Sequence, residues 1–315
     1  MFSSDTILGI VLIAQFCVGI RGNSLLFIFY IYTFSFKPHV KRPIDSIFMH
    51  LTIVNIVMVI FTLIPDILST FGVRRFLDDV CCKVVMYVFR VTRALTICTT
   101  CILSTFQATT ITPSNSKWAW LKPKLSMWTF PSFVCLWLIN MLIYSVIVEM
   151  VKGKTNYTFT GNGYYHAYCQ SRQFGNHNSG SFLSIILIRD LFFEVLTMWT
   201  SLYMVTVLYR HHRRAQGLHG SRLSPKSFPE QKATRDILWL VSCFVFFYWL
   251  NNFVTLYGFY SPVKIAILEE INAIFASSFP TLCPFLLMKN KKITLQFASS
   301  LSIWKIHCFR SAFNG

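Results

Sequence analysis

Four ionisable residues stand out because of the apolar company they keep. Arg90 and Arg93 interrupt the apolar stretch 80–111, and Asp190 and Glu194 interrupt the stretch 181–209. A central Arg or Asp in hydrocarbon costs about 2.5 to 3.5 kcal/mol on insertion scales, while each Leu or Phe returns only about 0.3 to 0.6. Such groups must face protein or water. On a helix, Asp190 and Glu194 share one face at i, i+4, beginning about 13 Å in if the helix starts near Ser181. Arg90 and Arg93 fall about 12 and 16 Å below Cys82 at 1.5 Å of rise per residue. The depths match, so Arg90 or Arg93 is expected to face Asp190 or Glu194 across an outward-opening cavity. The pair is either a structural ion pair or the polar anchor of a ligand. Phe89, Phe192, Phe193, Phe247, Trp249 and Tyr257 supply apolar walls around it, a lining that suits small organic molecules. Arg21 and Arg189 are embedded as well. Arg189 can pair with Asp190 or reach toward the interface, and the sequence offers Arg21 no partner.

Other reactive residue types are sparse. Cys98-x-x-Cys101 and His211-His212 each present two metal-ligand groups, but zinc requires four ligands or three plus water, so no metal or other cofactor is expected. Six of the ten cysteines lie in apolar stretches and read as small buried hydrophobes. Cys81, Cys82 and Cys169 fall outside or at an edge, and one bridge would pin the segment around Cys169 over the helices; Cys82–Cys169 is the preferred pairing, with Cys81 spare. Asn156-Tyr157-Thr158 is a glycosylation sequon in the same segment.

The elements that must position these groups are set by length. A bilayer core of about 30 Å needs roughly 20 mostly apolar helical residues, and seven stretches qualify, at about 7–34, 44–71, 80–111, 126–150, 181–209, 233–259 and 263–288. The continuous runs favour helices over the ten-residue alternation of a barrel. An all-α membrane protein is expected, a seven-transmembrane helix bundle forming one domain over 1–315. With the N-terminus outside, the inner segments hold 18 Lys and Arg against six in the outer ones, which places the C-terminus in the cytoplasm. The first stretch reads as an uncleaved anchor. The net charge of +17 then belongs to loops lying against anionic membrane lipid, and no stacking platform or basic fold outside the membrane supports nucleic-acid binding.

Strings along nearly the whole chain carry a family resemblance. They include Gly22-Asn23-Ser24, Arg42-Pro43-x-Asp45, His50-Leu51 with Val54-Asn55, and Arg93 followed by Thr99-Thr100-Cys101. Ser104-x-Phe106-Gln107-Ala108-x-Thr110-Ile111-x-Pro113-Ser114, Tyr168-Cys169, His211 with Gln216 and His219, and Phe279-Pro280-x-x-x-Pro284-Phe285 continue the series. The chain resembles a vomeronasal type-1 receptor. That resemblance implies a G-protein-coupled receptor for small organic pheromones, in the plasma membrane of sensory neurons, signalling through an inhibitory-type heterotrimeric G protein. Ligand would bind among the outer halves of the third, fifth, sixth and seventh spans. The inner-face residues implied are Phe106, Gln107, Thr110 and Pro113 below the third span, with Tyr209, His211, His212 and Arg213 below the fifth. The Asp-Arg-Tyr and Asn-Pro-x-x-Tyr strings of rhodopsin-like receptors are absent, so their activation details do not transfer.

Two other readings fit some features. A bitter-taste-type receptor has similar length and charge, but its last-span ending is missing here. A transporter or intramembrane enzyme could also use buried charges, yet the chain shows no inverted repeat, no His-Glu-x-x-His and no nucleophile elbow.

Overall fold

The computed structural model describes residues 4–36, 42–73, 78–112, 120–153, 169–171, 176–218, 229–260 and 266–289. Seven long helices dominate them: α1 (Ser4–Phe36), α2 (Pro43–Thr70), α3 (Asp79–Ile111), α4 (Leu121–Tyr144), α6 (Asn176–Leu218), α7 (Pro229–Tyr260) and α8 (Ala266–Met288), with a short α5 (Ile147–Met150) after α4. Six of these, α1, α2, α4, α6, α7 and α8, are long and apolar enough to cross a membrane. The remaining long helix, α3, is the hub: it packs against α2, α4, α6 and α7, and every residue from Phe89 to Cys101 is buried. A helix enclosed by protein on all sides is where intramembrane charges can be carried. Around it α1 packs on α2 and α8, α8 on α7, and α7 on α6.

The expected fourth span is filled in two pieces, because α4 ends at Tyr144 and the chain turns before α5, the two together carrying the apolar stretch Met127–Glu149. α6 runs 43 residues, well past the apolar stretch at both ends. The bundle also carries a short antiparallel ribbon, β1 (Val151–Gly153) with β2 (Cys169–Ser171), pairing Gly153 with Cys169. Cys169 is bonded to Cys82, with 5.8 Å between the Cα atoms, so the ribbon is tied to the first turn of α3. That turn is itself fixed by Asp78, whose carboxylate accepts the Cys81 backbone N–H at 2.8 Å as an N-cap. The same backbone bond holds the exposed Asp78 carboxyl below its ordinary range. We refer to this end of the molecule as the bridge end and to the other as the far end. Asn156 and Pro113 lie outside the described residues.

Two glycines matter for position. Gly72 closes α2 at φ +87°, a conformation that costs a residue without a side chain nothing. Gly22 lets α1 close on α8, since a Cβ there would lie 2.7 Å from Pro284 Cγ. The contact has a chemical counterpart one residue along. Pro284 has no N–H to offer the carbonyl four residues earlier, and that carbonyl, Pro280 O, instead accepts Asn23 Nδ2 at 2.9 Å.

α2, α3 and α4 are pinned at His50. Trp137 Nε1 can only donate, so at 3.0 Å it makes His50 Nε2 an acceptor. Nδ1 therefore carries the proton and meets Thr99 Oγ1 at 3.1 Å, while the Thr99 hydroxyl donates to Leu95 O. The imidazole stacks on Phe133 with ring centroids 4.1 Å apart.

A candidate ligand site across five helices

Arg93 leaves the buried face of α3 and meets α7 with its fork. Nη1 donates to Asn251 Oδ1 and Nη2 to Asn252 Oδ1, the bidentate use of a planar guanidinium. The two asparagines pass the contact on. Asn251 Nδ2 donates to Asn272 Oδ1 of α8 at 2.7 Å, and Asn252 Nδ2 donates to Glu194 Oε1 of α6 at 3.0 Å. Thr255 adds a hydroxyl to Asn272 Oδ1 at 3.1 Å. On the other side Asp190 Oδ2 stands 3.9 Å from Arg93 Nη2.

Arg189 extends this layer to α4. Its guanidinium donates to Asp190 Oδ1 at 2.6 Å, to Asn140 Oδ1 at 2.9 Å and to the Tyr144 hydroxyl at 2.8 Å, with the Tyr144 ring 5.3 Å away. Asp190 thus sits between two arginines, one oxygen toward each. The result is a polar belt through α3, α4, α6, α7 and α8 in which Arg93, Asp190 and Glu194 are all buried. Partnering on this scale is what makes charge at such depth tolerable. Two atoms in the belt have no hydrogen-bond partner among the described residues, Arg93 Nε and Glu194 Oε2. Arg90, one turn nearer the bridge end, is buried beside Phe89, 5.6 Å from its ring centroid.

Arg93 also contacts the core beyond the belt. Its Cζ lies 5.3 Å from the Tyr248 ring, Tyr248 lies 4.4 Å from Phe244, and Phe244 meets Phe279 of α8 edge-on at 5.1 Å. These rings belong to the main apolar cluster, which fills the far half and includes Leu26, Phe48, Leu51, Ile97 and Leu103. Phe193, Phe247 and Phe106 pack against it, half-buried.

Tyr257 does not belong to this interior. Tyr248, Asn251, Asn252 and Thr255 occupy the inward face of α7 at helical spacing, so Trp249, Phe253 and Tyr257 fall on the opposite face and are exposed. Phe192 is turned outward for the same reason, since Asp190 and Glu194 take the inward positions of α6. Sequence reasoning also passed over Asn140, Tyr144, Asn251, Asn252 and Asn272. The rule that flagged the arginines would have flagged the adjacent pair Asn251-Asn252, an amide doublet inside an apolar stretch.

Toward the far end α3 and α6 meet through hydroxyls. Ser104 Oγ lies 2.6 Å from Thr200 Oγ1, and Thr112 Oγ1 lies 3.1 Å from the Tyr203 hydroxyl. A mostly apolar cavity of about 450 Å³ opens beside them, with Ala108, Leu196 and Trp199 in its wall. Gln107 is buried, whereas Thr110, Tyr209 and Arg213 are exposed. His211 and His212 lie on the last turns of α6. Among the described residues no three His, Cys, Asp or Glu gather as a metal site would need.

Residues 6–300 match the vomeronasal organ pheromone receptor family. The human protein named vomeronasal type-1 receptor 4 is 34% identical over 279 residues, 88% of this chain and 92% of that protein. A zebrafish protein named olfactory receptor class A-like protein 1 is 29% identical over 94% of this chain and 93% of its own length. The crystal structure of squid rhodopsin superposes with a TM-score of 0.70 at 15% identity, covering 98% of this chain and 89% of that one, which shows a shared seven-helix fold. With the family matched almost end to end and the bundle of a rhodopsin beneath it, the chain belongs to the vomeronasal organ pheromone receptor family and is a multi-pass G-protein-coupled receptor of the plasma membrane.

Proposed function

We propose that the Arg93 belt is where this receptor reads its ligand, a small organic chemosignal entering from the bridge end, with the N-terminus and that end outside and the whole chain acting as one membrane domain. The observation that carries the reading is that the guanidinium of α3 contacts α6 and α7 directly and α8 through Asn251. A ligand that competes for Arg93, or for the unpartnered Glu194 oxygen, changes how four helices are held together at once. Phe89, Arg90, Phe193 and Phe247 supply the surrounding surface; Tyr257 is left out because it faces away. Arg90, Arg93 and Arg189 outnumber Asp190 and Glu194, an excess that favours a ligand with an anionic group on an apolar frame.

Binding would stabilise a conformation in which the far ends of α3 and α6 admit a heterotrimeric G protein of the inhibitory type. Phe106, Gln107, Thr110 and Pro113 with Tyr209, His211, His212 and Arg213 form the receiving end in this reading. Asn156 would carry glycan on the outer side.

The test is guanine-nucleotide exchange on an inhibitory-type G protein in membranes containing the receptor, challenged with small urinary organics that include sulfated steroids and their unsulfated parents. A response to a sulfated compound that Glu194→Gln shifts by tenfold or so, at unchanged surface abundance, supports the belt as the reader. Exchange that is indifferent to Arg93→Lys and Glu194→Gln moves the ligand elsewhere. Substrate flux without exchange would point to a carrier.

A further inference from the structure

We propose that the outer face of α1 is a docking surface for a transmembrane helix of a different protein, one that carries a carboxylate near its middle, with Arg21 as this chain's half of the pair. Arg21 stands at the midpoint of the 31-residue span Thr6–Phe36, so about 22 Å of helix separates it from either end. The hydrocarbon half-thickness is about 15 Å, and a side chain lifting its charge toward a headgroup recovers less than half of that. Unlike the belt arginines, Arg21 is exposed, and it makes no hydrogen bond or ion pair with any described residue.

The residues around it form a seam. Ala14, Cys17, Val18, Arg21, Leu25 and Ile28 are all exposed and recur at the three- and four-residue spacing of one helical face. Ala14 and Cys17 are small, which lets a second backbone approach closely where no hydrophobic drive exists between helices in lipid. A guanidinium in the middle of such a seam selects its occupant by charge. A second copy of this chain is a poor one: a two-fold α1–α1 contact sets Arg21 against Arg21. Nor do the described side chains offer a mate on another face, since Asp45, Asp66, Asp190, Glu194 and Asp236 are buried, Glu270 is half-buried in the first turns of α8, and the exposed Asp78, Asp79 and Glu149 lie at helix ends. The partner is therefore a helix with its own intramembrane acid, a group that needs a cation as much as Arg21 needs an anion.

Cys17, one turn from Arg21 on the same face and exposed, provides the readout. The full chain is co-expressed with a single-span leucine–alanine probe helix bearing a central Asp and a Cys four residues toward its outer end, and the membranes are mildly oxidised. The Asp probe should give roughly fivefold more mixed disulfide at Cys17 than a probe with Leu in place of Asp. Arg21→Leu should abolish that excess, Arg21→Lys should keep most of it, and Cys17→Ser should remove the product. Surface abundance of Arg21→Leu at or above that of the unaltered chain shows that the loss is not misfolding. Equal yields from the two probes, an excess that survives Arg21→Leu, or a Cys17–Cys17 dimer as the main product would each overturn the proposal, the last by assigning the face to a second copy.

Discussion

The two halves of the bundle hold α3 and α6 together by different chemistry. In the bridge-end half the link is charge: Arg93, Asp190 and Arg189, with amides of α4, α7 and α8 filling the remaining valences. In the far half the link is a seam of hydroxyls, Ser104 with Thr200 and Thr112 with Tyr203. The cost of separation differs accordingly. Parting α3 from α6 at the belt strands buried charges. At the seam Thr112 still bonds Ala108 O, and Thr200 and Ser201 still bond Thr197 O, each on its own helix, so that only neutral hydroxyls such as Ser104, whose contacts all cross to α6, lose their partners. Hydroxyls with a local acceptor can lose a cross-helix partner without leaving a buried group unsatisfied. Separating α3 from α6 therefore costs more at the belt than at the seam.

Arg93→Ala should break this contrast most severely. It removes one side of a buried network and leaves Asp190 and two amides facing a void, a loss of about 3 to 5 kcal/mol. The expected outcome is near-total loss of surface protein and of a cooperative thermal transition in detergent. Arg93→Lys should rescue part of it, because the charge returns without the fork. A well-expressed, thermally normal alanine variant would show that the belt does not hold the bundle.

The bridge that caps the belt comes next. Cys82→Ser or Cys169→Ser should destabilise by about 2 to 5 kcal/mol, read as a fall in surface abundance, whereas Cys81→Ser should leave it unchanged because Cys81 is free and exposed. Equal damage from Cys81→Ser would mean that the pairing exchanges between neighbours. Gly22→Ala follows, at about 1 to 3 kcal/mol from overpacking against Pro284, measured as a lower melting temperature. Its effect should be nearly independent of changes at Arg93, since α1 takes no part in the belt.

How much of this was legible in the residues depended on which energy decided the matter. The depth match between Arg93 and Asp190 was readable because the cost of charge in hydrocarbon outweighs everything else a side chain does there. The facing of Tyr257 was not, because in a helix apolar on every side periodicity carries no direction, and only the polar residues Asn251, Asn252 and Thr255 settle which face turns in. Arg189 was readable as a partner of Asp190, but its contacts with Asn140 and Tyr144 depend on how α4 and α6 approach, a tertiary fact with no local signature. The same holds for Asn23 and Pro280. Proline in α8 announces a freed carbonyl, and only the packing of α1 names the donor. The β1–β2 ribbon rests on three residues a side and has no hydrophobic alternation to announce it.

Ser104→Ala is the smallest change and the sharpest test of the contrast. It deletes the shortest cross-helix contact of the far seam, 2.6 Å to Thr200, which retains its own bond to Thr197 O. A neutral hydrogen bond of this kind contributes about 0.5 to 1.5 kcal/mol net, and here the partner is not orphaned, so the stability loss should lie at or below the lower end. The same change lowers the cost of parting α3 from α6 where the G protein is proposed to enter. If the far half is the part that opens, basal nucleotide exchange should rise about twofold, in step with a shift of about 0.5 kcal/mol in a two-state equilibrium, while the melting temperature barely moves. A fall in melting temperature with unchanged basal exchange would show that the hydroxyl seam holds the fold together rather than setting how easily its far end opens.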